Sequence, residues 1–116
     1  MIMLNRAYDR INTSGYRILV ERFWPRGVKK KDLKVDLWLK EIAPSDGLRV
    51  WFNHDPLKWD EFRKKYFTEL HNNKGNIDKI IDLSEDKDII LIYSSSSEYN
   101  NALALKEYLE SNNNHV

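Results

Sequence analysis

The stretch Asp88-Ile89-Ile90-Leu91-Ile92-Tyr93 decides the fold, because four aliphatic residues in a row predict a strand that is buried on both faces. Such strands are typical of the centre of a sheet that has helices packed against it. The serine run Ser94-Ser95-Ser96-Ser97 follows directly, and a helix is predicted over residues 98–111, with Ser96 or Ser97 as its N-cap. A buried strand that leads at once into a helix indicates an α/β fold.

The sequence before this strand predicts two more strands and one ambiguous segment. Residues 2–7 and residues 16–22 are the two strands, and the turn cluster 12–15 separates them. So short a connection predicts that the two strands are antiparallel if they are neighbours. Residues 35–42 fit either one face of a helix or a third strand, and Pro44 ends the segment in both cases.

Three helices are predicted in the middle of the chain. Ser45 is a suitable N-cap for a short helix that ends at Phe52. Asp55 and Pro56 are a typical N-cap and first residue of a longer helix. One face of this longer helix is apolar and is formed by Trp59, Phe62, Tyr66 and Leu70. A further short helix is predicted over residues 76–84.

Length and composition support one compact domain. The 116 residues fit one domain, and the absence of cysteine excludes disulfides, thiolate metal sites and cysteine nucleophiles. No apolar run is long enough to span a membrane, and the first residues lack the pattern of a signal peptide, which predicts a cytoplasmic protein. We therefore expect a single α/β domain over residues 1–116, with its last few residues frayed. A small mixed or mostly parallel sheet of about four strands is expected to be flanked by about four helices.

The net charge of +1 conceals two oppositely charged halves. Residues 1–58 carry 12 basic and 7 acidic side chains, and residues 59–116 carry 7 basic and 11 acidic ones. The stretch from Arg17 to Lys34 alone holds seven bases and two acids, which favours local binding of an anion. Solvated lysines such as Lys29-Lys30-Lys31 explain part of this excess equally well. A pI near 7.9 does not favour a dedicated nucleic-acid binder.

The first group of candidate ligand-binding residues is Arg22, Trp24 and Arg26, in the loop after the second strand. Arg22 follows the apolar side chains of Ile18 and Val20 at a spacing of two, so it needs a partner. That partner is either a carboxylate of the protein or a bound anion that the guanidinium holds. Trp24, which precedes a proline, forms either a rigid wall of a pocket or a plug over the core.

The second group lies at the carboxyl end of the central strand, where ligands of open α/β sheets bind. It consists of Tyr93 and Ser94 at the end of the strand, and of Glu98, Asn100 and Asn101 at the start of the predicted last helix. Glu98 and Asn101 are three residues apart and are expected to point inward, either as caps of the helix or as ligand-binding side chains. In an enzyme, Glu98 would transfer a proton.

The three histidines provide one further candidate. His54 precedes the N-cap Asp55 and is either a general acid or base or a packing residue. His71 and His115 lie at a helix end and near the C-terminus. No two histidines have the spacing of metal ligands, and the sequence contains no cofactor motif, so neither a metal nor a cofactor is expected.

Several segments together resemble a bacterial family, the domain of unknown function 488 (DUF488), in its short, YeaO-like branch. The distinctive segment is Trp24-Pro25-Arg26-Gly27. The segments that carry the resemblance follow the family order over nearly the whole chain: residues 15–27, 37–45, 51–56, 59–62, 91–93, 100–102 and 105–109. The resemblance implies a compact α/β domain and favours a strand over residues 36–41. It implies no particular activity, because the family has no established one.

The chain departs from the family pattern after the last strand. The family reads Tyr-Ala-Ala-Lys-Asp and then Asn-His-Ala, whereas this chain has Tyr93-Ser94-Ser95-Ser96-Ser97 and Asn100-Asn101-Ala102. A mechanism that needs the lysine, the aspartate or the second histidine is therefore not expected here. A binding role that depends on Arg22, Trp24, Arg26, His54 and Asn100 is compatible with the sequence.

The favoured function is binding of an anionic small molecule, bearing a phosphate or a carboxylate, at the carboxyl edge of the sheet. Its enzymatic form would be a metal-independent hydrolase or transferase, with His54 or Glu98 as the proton-transfer group. There are two alternatives: a protein-interaction module that uses exposed aromatic residues, and weak nucleic-acid binding through the stretch from Arg17 to Lys34. The chain is expected to be a monomer or a weak homodimer without membrane contact.

Overall fold

Four strands form one sheet in the computed structural model, which describes the backbone of residues 1–113 and the side chains of residues 1–111. The strands are β1 (Ile2–Arg6), β2 (Tyr16–Leu19), β3 (Leu37–Trp38) and β4 (Ile89–Tyr93). Their order across the sheet is β1-β4-β2-β3, and all neighbours are parallel. The predicted fraying of the last residues and the position of His115 lie outside the described residues.

β4, which contains the apolar run described above, lies in the interior of the sheet. Its residue Leu91 is opposite Leu4 of β1 on one side and opposite Ile18 of β2 on the other. The four consecutive residues from Ile89 to Ile92 are fully buried. The continuous apolar run is thus a strand that is covered on both faces, as the sequence predicted.

Five helices and two 3-10 turns complete the described part of the chain. The helices are α1 (Lys30–Leu33), α2 (Asp46–Phe52), α3 (Trp59–His71), α4 (Lys74–Asp86) and α5 (Asn101–Asn113), and the turns are Lys40–Ile42 and Pro56–Lys58. The predicted compact α/β class with a four-stranded sheet is confirmed. The structure has one helix more than expected, because the four-residue α1 was not predicted.

The connection between β1 and β2 differs from the expectation. The two strands are parallel and are not neighbours, because β4 lies between them. The segment 7–15 can extend over about 30 Å, which is enough to return along the sheet without a crossover helix. The sequence predicted an antiparallel pair on the condition that the two strands are neighbours. This condition is not met, because strands that are close in sequence are not always neighbours in a sheet.

The ambiguous segment 35–42 contains both of the structures that the sequence allowed. β3 is only two residues long and pairs with Ile18 and Leu19 of β2. The 3-10 turn Lys40–Ile42 follows it. The strand that the resemblance favoured over residues 36–41 is therefore right only for its first part.

The last helix begins later than predicted. α5 starts at Asn101, and its cap is Asn100 rather than a serine, because Asn100 Oδ1 accepts a hydrogen bond from the Leu103 N–H at 3.0 Å. The serine hydroxyls are used before the helix: Ser95 Oγ accepts from the Ser97 N–H, and Ser97 Oγ accepts from a backbone N–H two residues further on. Such local turns are typical of serine and compete with helix capping.

The sheet separates two apolar clusters of different size. The larger cluster lies between the sheet and α2, α3, α4 and α5, and it includes Ile89 and Leu91 of β4. It also contains the predicted apolar face of α3, whose members are all buried: Trp59, Phe62, Tyr66 and Leu70. The smaller cluster includes Ile90 and Ile92 and is covered by α1 and by loop side chains such as Trp24.

Gly15 allows β2 to begin close to β4. A Cβ at this position would lie 3.0 Å from Ile90 Cγ1 and 3.1 Å from the Asp88 carbonyl oxygen. Because the central strand cannot move aside, we expect Gly15→Ala to lower the free energy of unfolding by about 1–3 kcal/mol, measured by urea denaturation. Gly75→Ala in α4 is the control, since a Cβ there meets nothing within 4 Å and is expected to raise stability by about 0.5–1 kcal/mol. Equal effects of the two changes would contradict this account.

Candidate functional site

A cleft of about 780 Å³ opens at the carboxyl ends of the strands. One wall is the segment 21–26, which follows β2, and a second wall is formed by α2 and residues 53 and 54. The remaining side is lined by Ser94 and Ser95 after β4 and by Tyr99, Asn100 and Asn101 at the start of α5. A cavity of roughly 300–1,000 Å³ is typical of sites for small organic ligands.

The parallel direction of β2 and β4 brings the predicted groups together. Because parallel strands end at the same edge of a sheet, Arg22 after β2 and Ser94 after β4 line the same cleft. An antiparallel pair would have placed them at opposite edges. The other predicted residues that line the cleft are Trp24, Arg26, His54, Asn100 and Asn101.

Arg22 has the carboxylate partner that the sequence allowed, but its guanidinium is not fully used. Its Nη2 donates to the Pro44 carbonyl at 3.3 Å, and its Nε lies 3.5 Å from Asp46 Oδ1. The buried Nε makes no hydrogen bond within the described part of the chain. Nη1 makes no hydrogen bond or ion pair with the described residues, so this part of the planar fork is available to a bound anion.

Two further arginines line the cleft with Arg22. Arg26 is exposed, and its side chain makes no hydrogen bond or ion pair with the described residues. Arg49 of α2, which sequence reasoning missed, lies 3.6 Å from the same Asp46 carboxylate. The only available signal for Arg49 was its position one turn after Asp46, which is typical of an ordinary pair on a helix surface.

Glu21 is the second functional candidate that sequence reasoning missed. It lies next to Arg22 in the cleft wall, and its Oε1 accepts a hydrogen bond from the Ser94 N–H at 2.7 Å. Burial raises the pKa of this carboxyl, while the Ser94 N–H acts in the opposite direction. The sequence offered one weak signal, an acidic residue within an otherwise basic stretch.

The Glu21 carboxyl makes stability depend on pH. Because its pKa is raised in the folded protein, the folded state keeps a proton that the unfolded state loses near pH 4.5, so stability falls as pH rises through this window. Glu21→Gln lacks this ionisation and keeps an acceptor for the Ser94 N–H. We expect the variant to gain stability relative to the natural protein as pH is raised from about 4 to about 8, measured by urea denaturation. A difference that stays constant with pH would contradict this prediction.

The two predicted asparagines line the cleft but are held by the protein. Asn100, which is only 4% exposed, caps α5 through Oδ1 and donates from Nδ2 to the Ser97 and Glu98 carbonyls. Asn101 Nδ2 donates to the Val20 carbonyl at 2.9 Å and so connects α5 to the end of β2. The cap of α5 is therefore Asn100 and not Glu98 or Asn101, for which the sequence allowed a capping role, and both asparagines hold the cleft wall through contacts within the protein.

Tyr93 and Glu98 do not line the cleft. Tyr93 packs against the larger apolar cluster instead. Glu98 is exposed and precedes α5, so the expectation that it points inward is wrong. That expectation assumed helical spacing from Glu98 to Asn101, whereas the helix begins only at Asn101.

Trp24 performs both of the roles that the sequence left open. Its ring lines the cleft and also packs against the smaller apolar cluster, 5.6 Å from the Trp38 ring in an edge-to-face arrangement. Its Nε1 donates to the Val28 carbonyl at 2.6 Å. The indole N–H is therefore not available to a ligand.

His54 lies at an unusual point of the backbone. Asn53 and His54 both have left-handed conformations, with φ of 45° and 56°. Such conformations are uncommon outside glycine and are found more often at functional sites. The imidazole is exposed at the cleft, 6.5 Å from the Phe52 ring, and no hydrogen bond or ion pair with another described residue holds it.

Neither a metal cluster nor a membrane helix is found in the part of the chain that the structure describes. No group of three histidine, aspartate or glutamate side chains among residues 1–111 is arranged to hold a metal ion. Within the described residues, no helix has the length and apolar character needed to cross a bilayer.

The fold and the site define a small parallel α/β domain with a cation-lined cleft at the carboxyl edge of its sheet. A family model described as the inactive DUF488-N3 subclade matches residues 1–115. The chain belongs to this subclade of the DUF488 family and is YeaO-like.

Bacterial relatives support this assignment. The chain is 40% identical over 112 residues to a protein of Escherichia coli called "Uncharacterized protein YeaO", and the match covers 95% of this chain and 97% of that protein. It is 42% identical over 73 residues to proteins of Mycobacterium tuberculosis and Mycobacterium bovis, and these matches cover 62% of each chain. No solved structure matches the chain.

Proposed function

We propose that the protein binds a small organic anion, bearing a phosphate or a carboxylate, in the cleft and does not transform it. The observation that carries this proposal is the convergence of Arg22, Arg26, Arg49 and His54 on one cavity of about 780 Å³. Their positions in the sequence span 33 residues, from 22 to 54, so their meeting is a property of the fold.

The charges in the cleft favour an anion. Three guanidinium groups line it, whereas Glu21 is the one carboxyl among its lining residues. Arginine presents a planar fork of donors that matches phosphate and carboxylate oxygens. The Asp46 carboxylate forms ion pairs with both Arg22 and Arg49, and these contacts hold the two guanidinium groups near the cleft.

Binding without turnover agrees with the residues that are absent. Ser96, Ser97 and Asn101 stand where the family pattern has a lysine, an aspartate and a second histidine. Of the two predicted proton-transfer groups, Glu98 lies outside the cleft, and the imidazole of His54 makes no hydrogen bond with a described residue that would orient it. The description of the matching subclade as inactive also supports a binding role.

Thermal-shift and calorimetric titrations test the proposal. Inorganic phosphate, phenyl phosphate, sugar phosphates and nucleotides are the probes, and at least one organic phosphate is expected to raise the melting temperature. Arg49→Gln is expected to weaken its binding by about tenfold, because a charge-assisted contact is lost. Lys79→Gln on the exposed surface of α4 is the matched control and should have no effect.

Two results would overturn the proposal. The first is the absence of any thermal shift with all of these anions. The second is release of inorganic phosphate from a bound organic phosphate, which would show turnover rather than binding alone.

A second candidate function, protein interaction, is favoured by one specific observation. Phe23 and Val50 line the cleft and are 66% and 65% exposed, and Leu57 is 95% exposed. Large exposed apolar side chains are typical anchors of interfaces. Phe23→Ser separates the two functions, because it would abolish capture of a partner protein while leaving binding of inorganic phosphate intact.

A further inference from the structure

The cleft combines three kinds of chemistry. Its cations Arg26 and Arg49 are exposed, whereas the carboxyl of Glu21 is largely buried. The apolar side chains of Phe52 and Phe62 line the same cleft. A ligand in the cleft therefore meets donors, apolar walls and a carboxylate acceptor.

Glu21 is a partly buried carboxyl with one acceptor oxygen that the described residues do not use. Its Oε1 accepts from the Ser94 N–H, whereas Oε2 has no hydrogen-bond partner among the described residues. None of the cleft arginines forms an ion pair with it within the same part of the chain. A partly buried carboxylate is less well hydrated than an exposed one, and a ligand that donates a hydrogen bond to Oε2 compensates for part of this loss.

We propose that Glu21 determines the specificity of the cleft by accepting a hydrogen bond at Oε2 from a hydroxyl or amino group of the bound anion. This inference rests on the proposed function, because it takes the acid group of the ligand to lie at the arginines. The ligand class is then an organic phosphate or carboxylate with an apolar body that also carries a hydrogen-bond donor. A ligand with a second acid group in place of this donor is disfavoured, because its second charge meets the Glu21 carboxylate.

Three phenyl phosphates that differ only at the para position test this inference. They are phenyl phosphate, 4-aminophenyl phosphate, which adds a donor, and 4-carboxyphenyl phosphate, which adds a second negative charge. Calorimetric titration of the natural protein at about pH 8 is expected to show binding about tenfold tighter for the amino compound than for phenyl phosphate. The carboxy compound is expected to bind about tenfold more weakly than phenyl phosphate.

Glu21→Gln is expected to abolish this ranking. The glutamine keeps an acceptor for the Ser94 N–H but removes the charge, and its amide donates to a carboxylate. The ratio of the affinities for the amino and carboxy compounds should therefore fall by at least about tenfold, while Glu85→Gln on the surface of α4 leaves the ratio unchanged. The melting temperature of each variant shows whether it is folded. The order of the three affinities on the natural protein tests the inference even if a variant does not fold.

The outcomes separate this inference from the proposed function. If none of the probes binds, the proposed function itself is wrong. If phenyl phosphate binds in an Arg49-dependent way but the three compounds bind equally, binding of anions stands and the role of Glu21 is refuted.

Discussion

Phe62→Ala is expected to lower the free energy of unfolding by about 3–5 kcal/mol, the largest loss of any substitution considered for this protein. The Phe62 side chain is 2% exposed, and its ring stacks 4.3 Å from the Phe52 ring and 5.6 Å from the Trp59 ring. The Tyr66 ring lies 5.6 Å away on the same face of α3. Truncation to alanine removes all three ring contacts and leaves a cavity between α2 and α3.

Urea denaturation of the variant and the natural protein measures this loss. Phe23→Ala is the matched control, because the same truncation at a largely exposed side chain should change stability by no more than about 0.5 kcal/mol. Phe62 also lines the cleft, so Phe62→Ala should weaken binding of phenyl phosphate as well. A stability loss below about 1 kcal/mol would show that the aromatic cluster is not packed as described.

Asn100→Ala is expected to cost about 2–3 kcal/mol of stability. Loss of the α5 cap accounts for about 1–2 kcal/mol, because the Leu103 N–H loses its acceptor. The Ser97 and Glu98 carbonyls lose their donor at the same time, and these lost hydrogen bonds, which are only partly buried, add up to about 1 kcal/mol.

Asn100→Asp separates the two contributions. Aspartate keeps the cap acceptor for the Leu103 N–H but cannot donate to the two carbonyls, so its loss should be smaller than that of alanine. In thermal and urea denaturation, the natural protein should be the most stable of the three, the aspartate variant less stable and the alanine variant the least stable. Equal stability of the alanine variant and the natural protein would contradict the assignment of Asn100 as the cap.

The elements that were predicted correctly depend on patterns within a few residues of one another. The apolar run of β4 and the Ser45 cap of α2 are local signals. Asp55 is a cap as predicted, but of the 3-10 turn Pro56–Lys58, and the long helix α3 begins only at Trp59. The apolar face of α3 repeats at helical spacing, so its burial followed directly from the sequence. These features require no knowledge of the rest of the chain.

The features that were missed depend on contacts between distant residues. The hydrogen bond from the Ser94 N–H to Glu21 joins residues that are 73 positions apart, and no local pattern indicates it. Arg49 reaches the cleft only because α2 forms its wall. Glu98 was wrongly expected in the cleft because the start of α5 depends on the Asn100 cap, which competes with the serine turns.

The position of β4 between β1 and β2 has a consequence for the order of folding. β1 and β2 do not pair with each other: β1 pairs with β4, and β2 pairs with β4 and with the two-residue β3. A nascent chain emerges from the ribosome with its N-terminus first, so β1 has no strand partner, and β2 has only β3, until residues 89–93 have been synthesised. The four-stranded sheet is therefore completed in a late step that is governed by contacts between distant parts of the chain.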